Sequence, residues 1–182
     1  MTAPQDRSPR TVLCEGKWLR FVSESGWEYV EHRRVRGVVI VIARTPEDRL
    51  VLVDQYRVPL KRRVLELPAG LVGDGAASDD EAFADAARRE LLEETGYWAG
   101  RIEFLFDGPM SPGRSPDFYS FFLAENLEKR GRGGGDGTED IRVEEMPLDG
   151  AEGWLDARRK AGELIDPKIY IALYFLTRVR AG

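Results

Sequence analysis

The stretch Arg88-Arg89-Glu90-Leu91-Leu92-Glu93-Glu94-Thr95-Gly96-Tyr97 reads as the last turns of a helix and crowds three carboxylates together. At about 100° per residue, Glu90, Glu93 and Glu94 fall within an arc of about 100°, with Glu90 roughly 6 Å below Glu94 along the axis. Like charges so placed repel by about a few tenths of a kcal/mol per pair. A solvated acidic face is the plain explanation, and the flanking sequence argues against it. Ser78 followed by Glu81 has the form of a capping box, and Gly96 stands where a left-handed C-terminal cap belongs, so the predicted helix runs from Asp79 to Thr95. Ala84, Ala87 and Leu91 share a stripe able to pack on a sheet, which leaves the glutamates beside it, facing the sheet's edge.

Outward from this helix, the chain alternates extended and helical patterns. After a polar start from Met1 to Arg10, Thr11 to Val22 and Trp27 to Arg33 flank the turn-like Ser23-Glu24-Ser25-Gly26 and predict an N-terminal hairpin. Gly37 to Ala43 is continuous and β-branched, as in a strand buried on both faces, and Leu50 to Val53 follows a charged turn. Further strands are expected at Val64 to Leu67, Ile102 to Phe106, Phe118 to Leu123 and Ile141 to Met146. Helices are expected at Ala151 to Ala161 and at Pro167 to Val179, with proline in the first turn. There is no regular βαβ rhythm, so a mixed sheet between helices is expected rather than a doubly wound parallel one. Gly131 to Gly137 is read as a loop too glycine-rich to hold one shape. Two units follow: a tail and hairpin over residues 1–34, and a catalytic-sized domain over 35–182.

Clustered carboxylates at a sheet edge suit a hard divalent cation, since Mg²⁺ takes oxygen ligands and is commonly shared between carboxylates and substrate phosphates. The turn expected at Glu66-Leu67-Pro68-Ala69-Gly70 offers carbonyl oxygens nearby. Gly75, Glu81 and the run Arg89-Glu90-Leu91-Leu92-Glu93-Glu94-Thr95-Gly96-Tyr97 resemble the complete Nudix box, every fixed position of which is matched. The resemblance implies an α/β fold, the Nudix α/β/α sandwich with a mixed sheet, and hydrolysis of a nucleoside diphosphate linked to another group. It implies Glu90, Glu93 and Glu94 as metal ligands for Mg²⁺ or Mn²⁺, helped by the Ala69 carbonyl, with Arg89 orienting the glutamates. Glu81 reads as a cap that also steadies the box.

"ELPAGLV" from Glu66 to Val72, with Ser111-Pro112-Gly113 beyond the box, resembles the ADP-ribose pyrophosphatase branch of that family. There the pattern usually ends in a glutamate, where this chain has Arg114-Ser115-Pro116-Asp117. Ser111 and Gly113 are the substrate-contacting candidates of this loop, and Arg57 resembles the branch's substrate-binding arginine; a guanidinium fork suits a diphosphate oxygen or a sugar hydroxyl. Trp18 and Trp27 resemble the two tryptophans that sandwich adenine in dimeric members, with core or dimer packing as the alternative. Stacking contributes roughly 1 to 3 kcal/mol per base and is indifferent to base identity. A hairpin reaching across a two-fold axis would make each site depend on both chains of a homodimer. Thr138 to Val143 resembles the mobile segment that supplies a general base, which points to Glu139, swung in on a glycine tether, with Glu93 as the alternative.

Composition limits the partners. Net charge is −5, from 27 Lys and Arg against 32 Asp and Glu, which argues against general affinity for nucleic acid. The single cysteine, Cys14, forms no intrachain disulfide, and no signal peptide or membrane span stands out, so a cytoplasmic protein with no membrane partner is expected. The expected reaction is metal-dependent hydrolysis of ADP-ribose or a related nucleoside diphosphate sugar to a nucleoside monophosphate and a sugar phosphate. A broad sugar-nucleotide hydrolase preferring GDP-mannose and a catalytically silent nucleotide-binding module are the alternatives.

Overall fold

In the computed structural model, which describes residues 8–73, 82–135, 137 and 139–179, alternating apolar side chains on one long strand determine the layering. Strand β4 (Gly37–Arg44) is buried along nearly its whole length. Val38, Ile40 and Ile42 point to one face and Val39, Val41 and Ala43 to the other, and each set belongs to a separate apolar cluster. The first cluster is closed by α2 (Ala151–Lys160) and α3 (Lys168–Val179), the second by α1 (Phe83–Thr95). Three layers result, helix over sheet over helix. Phe106, stacked on Phe121 at 4.5 Å and on Phe175 at 5.0 Å, ties the sheet to α3.

The central sheet is mixed. Its order is β11 (Leu164–Ile165), β6 (Arg62–Glu66), β5 (Arg49–Arg57), β4, β9 (Phe118–Lys129) and β8 (Tyr97–Pro109), with β10 (Ile141–Pro147) paired to β5 and β7 (Ala69–Val72) to β4. β4 with β9 and β6 with β11 run parallel; the other pairs are antiparallel. The expected α/β class and mixed sheet are therefore present. Ala69 and Gly70, expected in a turn, instead begin β7, with Ala69 opposite Ile40. Pro68, which has no N–H to give, makes the break before them, while its carbonyl accepts the Val41 N–H at 2.8 Å.

The N-terminal hairpin is present with an added strand. Gly16 interrupts the run predicted as one strand, so β1 (Thr11–Glu15), β2 (Leu19–Glu24) and β3 (Trp27–His32) form a separate antiparallel sheet. Ser25 and Gly26, both at positive φ, turn β2 into β3. This sheet meets the main one through Val30 N–H to the Arg114 carbonyl, 3.0 Å, and through His32 Nδ1 and Asp117 Oδ2, 3.1 Å apart.

Helix α1 begins at Phe83, after Ala82 in an extended conformation, and so later than expected; Gly75, Ser78 and Glu81 lie outside the described residues. Its C-terminus is as expected: Gly96 adopts φ 73° and its N–H bonds to the Leu92 carbonyl at 2.8 Å. Among the described residues no helix is long and apolar enough to cross a membrane. Leu91 is fully buried where α1 meets the sheet, so Leu91→Ala should cost about 2 to 5 kcal/mol of stability. Urea unfolding measures this, and a loss well below about 1 kcal/mol would mean that α1 contributes little to the core.

Candidate active site

The last turns of α1 carry the three glutamates over β7, at three depths. Glu94 shares the sheet-facing stripe with Ala87 and Leu91, and is only 3% exposed. Its Oε2 accepts the Ala69 N–H at 3.0 Å, so Ala69 meets the acidic helix through its N–H. Burial pushes the Glu94 carboxyl well above the usual carboxylate range; Glu139 and Glu90 add to the rise, and the Ala69 N–H and Arg57 oppose it. Glu90 lies against Gly70, where a Cβ would come within 1.9 Å of Glu90 Cδ. Glu93 is the outermost. Arg89 bridges the last two: its Nη1 is 2.8 Å from Glu90 Oε1 and 3.0 Å from Glu93 Oε2, and its Nη2 donates to the Leu71 carbonyl at 3.4 Å.

A second element contributes from the sheet. Val51 packs into the α1-side cluster, and alternation along β5 gives Gln55 and Arg57 the same face. The Arg57 fork grips Glu66, with Nε to Oε1 at 2.6 Å and Nη2 to Oε2 at 2.9 Å, and Glu66 is itself buried. Hydrogen bonding to Glu66 raises the Arg57 pKa above its ordinary value, and the charges of Glu94 and Glu139 act in the same direction. Gln55 Nε2 donates to Glu139 Oε1 at 3.0 Å.

The glycine-rich loop, read from sequence as shapeless, is docked. Gly134 N–H bonds to the Glu94 carbonyl at 2.8 Å and Gly135 N–H to that of Glu93 at 3.1 Å, while Arg130 and Gly131 both donate to the Gly96 carbonyl. These bonds satisfy carbonyls that the end of α1 would leave without partners. A Cβ at Gly133 would lie 2.5 Å from the Glu94 carbonyl oxygen, and Gly133 also has a positive φ, so glycine is required for the close approach.

The remaining candidates gather elsewhere. Trp27, Tyr29, Glu24 and Ser25 on the N-terminal sheet face Pro112, Gly113, Ser115 and Pro116 across a cleft of about 330 Å³. The Ser111 carbonyl receives the N–H groups of Arg114 and Ser115, both at 2.9 Å, and holds this loop in a tight turn. Asp117, the acid nearest the branch's missing glutamate, is engaged by His32 and the Ser115 hydroxyl. Trp18 and Trp27 are 60% and 56% exposed, so neither is a core residue. Trp18 does not line the cleft.

Residues 33–167 match the model of the NUDIX domain. The chain belongs to the NUDIX family. Similar proteins include the methanol dehydrogenase activator of Bacillus methanolicus, 36% identical over 77% of this chain and 71% of that one. The ADP-ribose pyrophosphatase of Bacillus subtilis (strain 168) is 35% identical over 82% and 75%, and the GDP-mannose pyrophosphatase of Enterobacter sp. (strain 638) 32% over 82% and 80%. The crystal structure of an ADP compounds hydrolase covers 98% of this chain, and 95% of its own, with a TM-score of 0.70 at 22% identity, which is a likeness of fold.

Outside the Nudix box the structure adds what spacing alone did not express. Glu66 and Gln55 were absent from the sequence-derived site, although their signal existed: a polar residue continuing the alternation of a buried strand on the face turned to α1. Among the described residues no three or more His, Cys, Asp or Glu side chains are arranged to hold a metal ion by themselves. Arg89 takes up oxygens of Glu90 and Glu93, so a cation binding there competes with a guanidinium. Gly70→Ala would push the Glu90 side chain away while leaving the backbone able to pair with β4, so turnover should fall about tenfold or more at nearly unchanged unfolding temperature. Kinetics and a thermal melt on the same preparation check this; full activity would show that the Glu90 position is not critical.

Proposed function

We propose that this Nudix enzyme hydrolyses the diphosphate of a nucleoside diphosphate sugar, ADP-ribose first, to a nucleoside monophosphate and a sugar phosphate. The observation that carries the reading is the convergence of α1, β5 and the segment before β10: Glu94 feels the charges of Glu139 and Arg57, and Arg57 those of Glu94 and Glu139. The relatives named ADP-ribose pyrophosphatase and GDP-mannose pyrophosphatase support the substrate class, since the chain spans most of the length of each.

Glu90, Glu93 and Glu94, with the Ala69 carbonyl, would hold Mg²⁺, or Mn²⁺ in its place. The donors fit: they are all oxygen, and the buried Glu94 carboxylate has two acidic neighbours whose repulsion a cation relieves. When bound, the cation offsets charge on the diphosphate and acidifies the attacking water. Glu139 takes the proton of that water as its oxygen closes on phosphorus. The bridging P–O bond breaks with its electron pair leaving on the departing phosphate. Glu93 is the weaker choice of base because it shares its oxygen with Arg89. Arg57, one edge of its fork fixed by Glu66, has N–H groups left for a diphosphate oxygen or a sugar hydroxyl.

Recognition of the base falls to the tryptophans. Leu19 pairs with His32 and Glu24 with Trp27, so Trp18 and Trp27 stand at opposite ends of the β2–β3 ribbon, about 17 Å or more apart. One chain cannot close both indoles on one base, which favours a homodimer in which Trp18 of one protomer stacks opposite Trp27 of the other. A second reading has one observation in its favour. Glu24 lines the Trp27 cleft with its Oε2 accepting the Tyr29 hydroxyl at 2.8 Å; a carboxylate here can receive both N–H donors of guanine's Watson–Crick edge but only the amino group of adenine, as a GDP-mannose preference would require.

Incubation with ADP-ribose, GDP-mannose, UDP-glucose and a nucleoside triphosphate, each with Mg²⁺ and with chelator, decides the reaction. AMP and ribose 5-phosphate from ADP-ribose only with metal is the expected result; faster cleavage of GDP-mannose moves the assignment to the second reading, and cleavage of the triphosphate alone removes both. Glu139→Gln should lower kcat by about tenfold or more with KM little changed, in steady-state kinetics. Trp18→Ala and Trp27→Ala should each raise KM. Mixing and reassembling the two variants should return about a quarter of the sites to normal affinity, because each mixed dimer regains one site with both indoles. No recovery would place the sandwich within one chain or remove it.

A further inference from the structure

Gln55 is a buried polar residue to which neither the Nudix box nor the proposed reaction assigns a task. It lies on β5 opposite Val64 of β6 and Ile141 of β10, and is 5% exposed. Among the described residues its amide makes one hydrogen bond, Nε2 to Glu139 Oε1 at 3.0 Å, and its buried Oε1 has no partner. A buried amide oxygen left unpaired lowers stability, so a methionine or leucine of similar size would serve the fold better at this place. The residue is explained by what its N–H holds.

Glu139 needs holding. The backbone before it is tied to α1 through Gly134 and Gly135, and the residue after it is tied to β5 through Tyr56 N–H to the Asp140 carbonyl, 3.3 Å, and to β6 through Arg63 Nη1 to Asp140 Oδ2, 2.6 Å. Those bonds fix where the segment enters and leaves, but not where the Glu139 carboxylate points. Glu94 repels that carboxylate, and Arg57, whose charge attracts it, is occupied with Glu66. Gln55 supplies a neutral donor from the rigid sheet, which orients one carboxylate oxygen without competing for a proton or a metal. On the other side, Gly135 lacks the Cβ that would lie 2.4 Å from Glu139 Oε2.

Resting on the assignment of Glu139 as general base, we propose that Gln55 is its positioning residue: the amide N–H holds Oε1 so that Oε2 is presented to the attacking water. Gln55 touches no reacting atom, so its loss acts on turnover through Glu139 alone.

The test is a double-mutant cycle. Gln55→Met, Glu139→Gln and the double variant are compared by kcat and KM on the sugar nucleotide that the wild type cleaves best, with thermal unfolding of each. Gln55→Met should lower kcat about tenfold with KM within about twofold, keep or raise the unfolding temperature, and have almost no further effect in the Glu139→Gln background. Should Gln55→Met fail to fold, Gln55→Leu removes the donor without adding a charge, and the same kinetic pattern is expected of it. An unchanged kcat, or an equal loss in both backgrounds, overturns the positioning role. Full turnover in Glu139→Gln alone removes the base assignment and the proposal with it, whereas a slow Glu139→Gln beside a normal Gln55→Met removes only the proposal.

Discussion

A carboxylate occupies a place in the helix–sheet interface where packing alone would select a leucine. Glu94 follows Ala87 and Leu91 down the buried stripe of α1, and among the described residues the only backbone donor it meets is the Ala69 N–H. Much of the surrounding arrangement answers to that burial. β7 must run close under α1 for Ala69 to reach the carboxylate, Pro68 sets the break that lets it, and Gly70 leaves room for Glu90 beside it. A buried acid with two acidic neighbours is poorly stabilised by protein groups alone, so the fold carries an electrostatic debt at this point that a multivalent cation suits.

The second half of the site is built by capping. An α-helix ends with carbonyls pointing outward, and α1 ends in the glutamates proposed to hold the cation. Gly96 reverses the chain, Gly131, Gly134 and Gly135 cover the carbonyls, and Lys129 Nζ donates to the Thr95 carbonyl at 2.8 Å. The segment that brings Glu139 back toward the glutamates is thus the one that finishes the helix. A sequence of glycines with no side chains to pack acquires its shape from hydrogen bonds to the end of α1, and the positive φ of Gly133, Gly134 and Gly135 is what allows the backbone to supply them.

Spacing made the helix, its C-terminal cap, the three glutamates and the strand buried on both faces legible, because each is a local pattern with a fixed period. Depth was not legible. Glu90, Glu93 and Glu94 share an arc in sequence, yet one is buried, one lies against a glycine and one faces outward, and only the position of β7 decides which. The loop over Gly131 to Gly135 misled for a related reason: composition reports the freedom of an isolated chain and not the donors and acceptors awaiting it. Gln55 and Glu66 escaped because their partners lie across the sheet, although the alternation of β5 already turned Gln55 and Arg57 to the catalytic side.

The proposed separation between chemistry and recognition has a physical basis in the two sheets. The glutamates, Glu139 and Arg57 are fixed by the central sheet and α1, which form the core. Trp18, Trp27 and Glu24 stand on the smaller N-terminal sheet, joined to the core by the Val30 to Arg114 hydrogen bond and the contact of His32 with Asp117. The loop from Ser111 to Asp117 links them: it lines the Trp27 cleft on one side and leads directly into β9, which pairs with β4 at the centre of the fold. On the proposed reading, substitutions on the small sheet would alter which base fits, whereas such freedom is denied at Gly70 and Gly133, where one methyl group would collide with Glu90 or with the backbone of Glu94 and Thr95. A fold so divided could vary its nucleotide while keeping its box, and on the proposed reading specificity resides in Glu24, Trp27 and the loop that faces them.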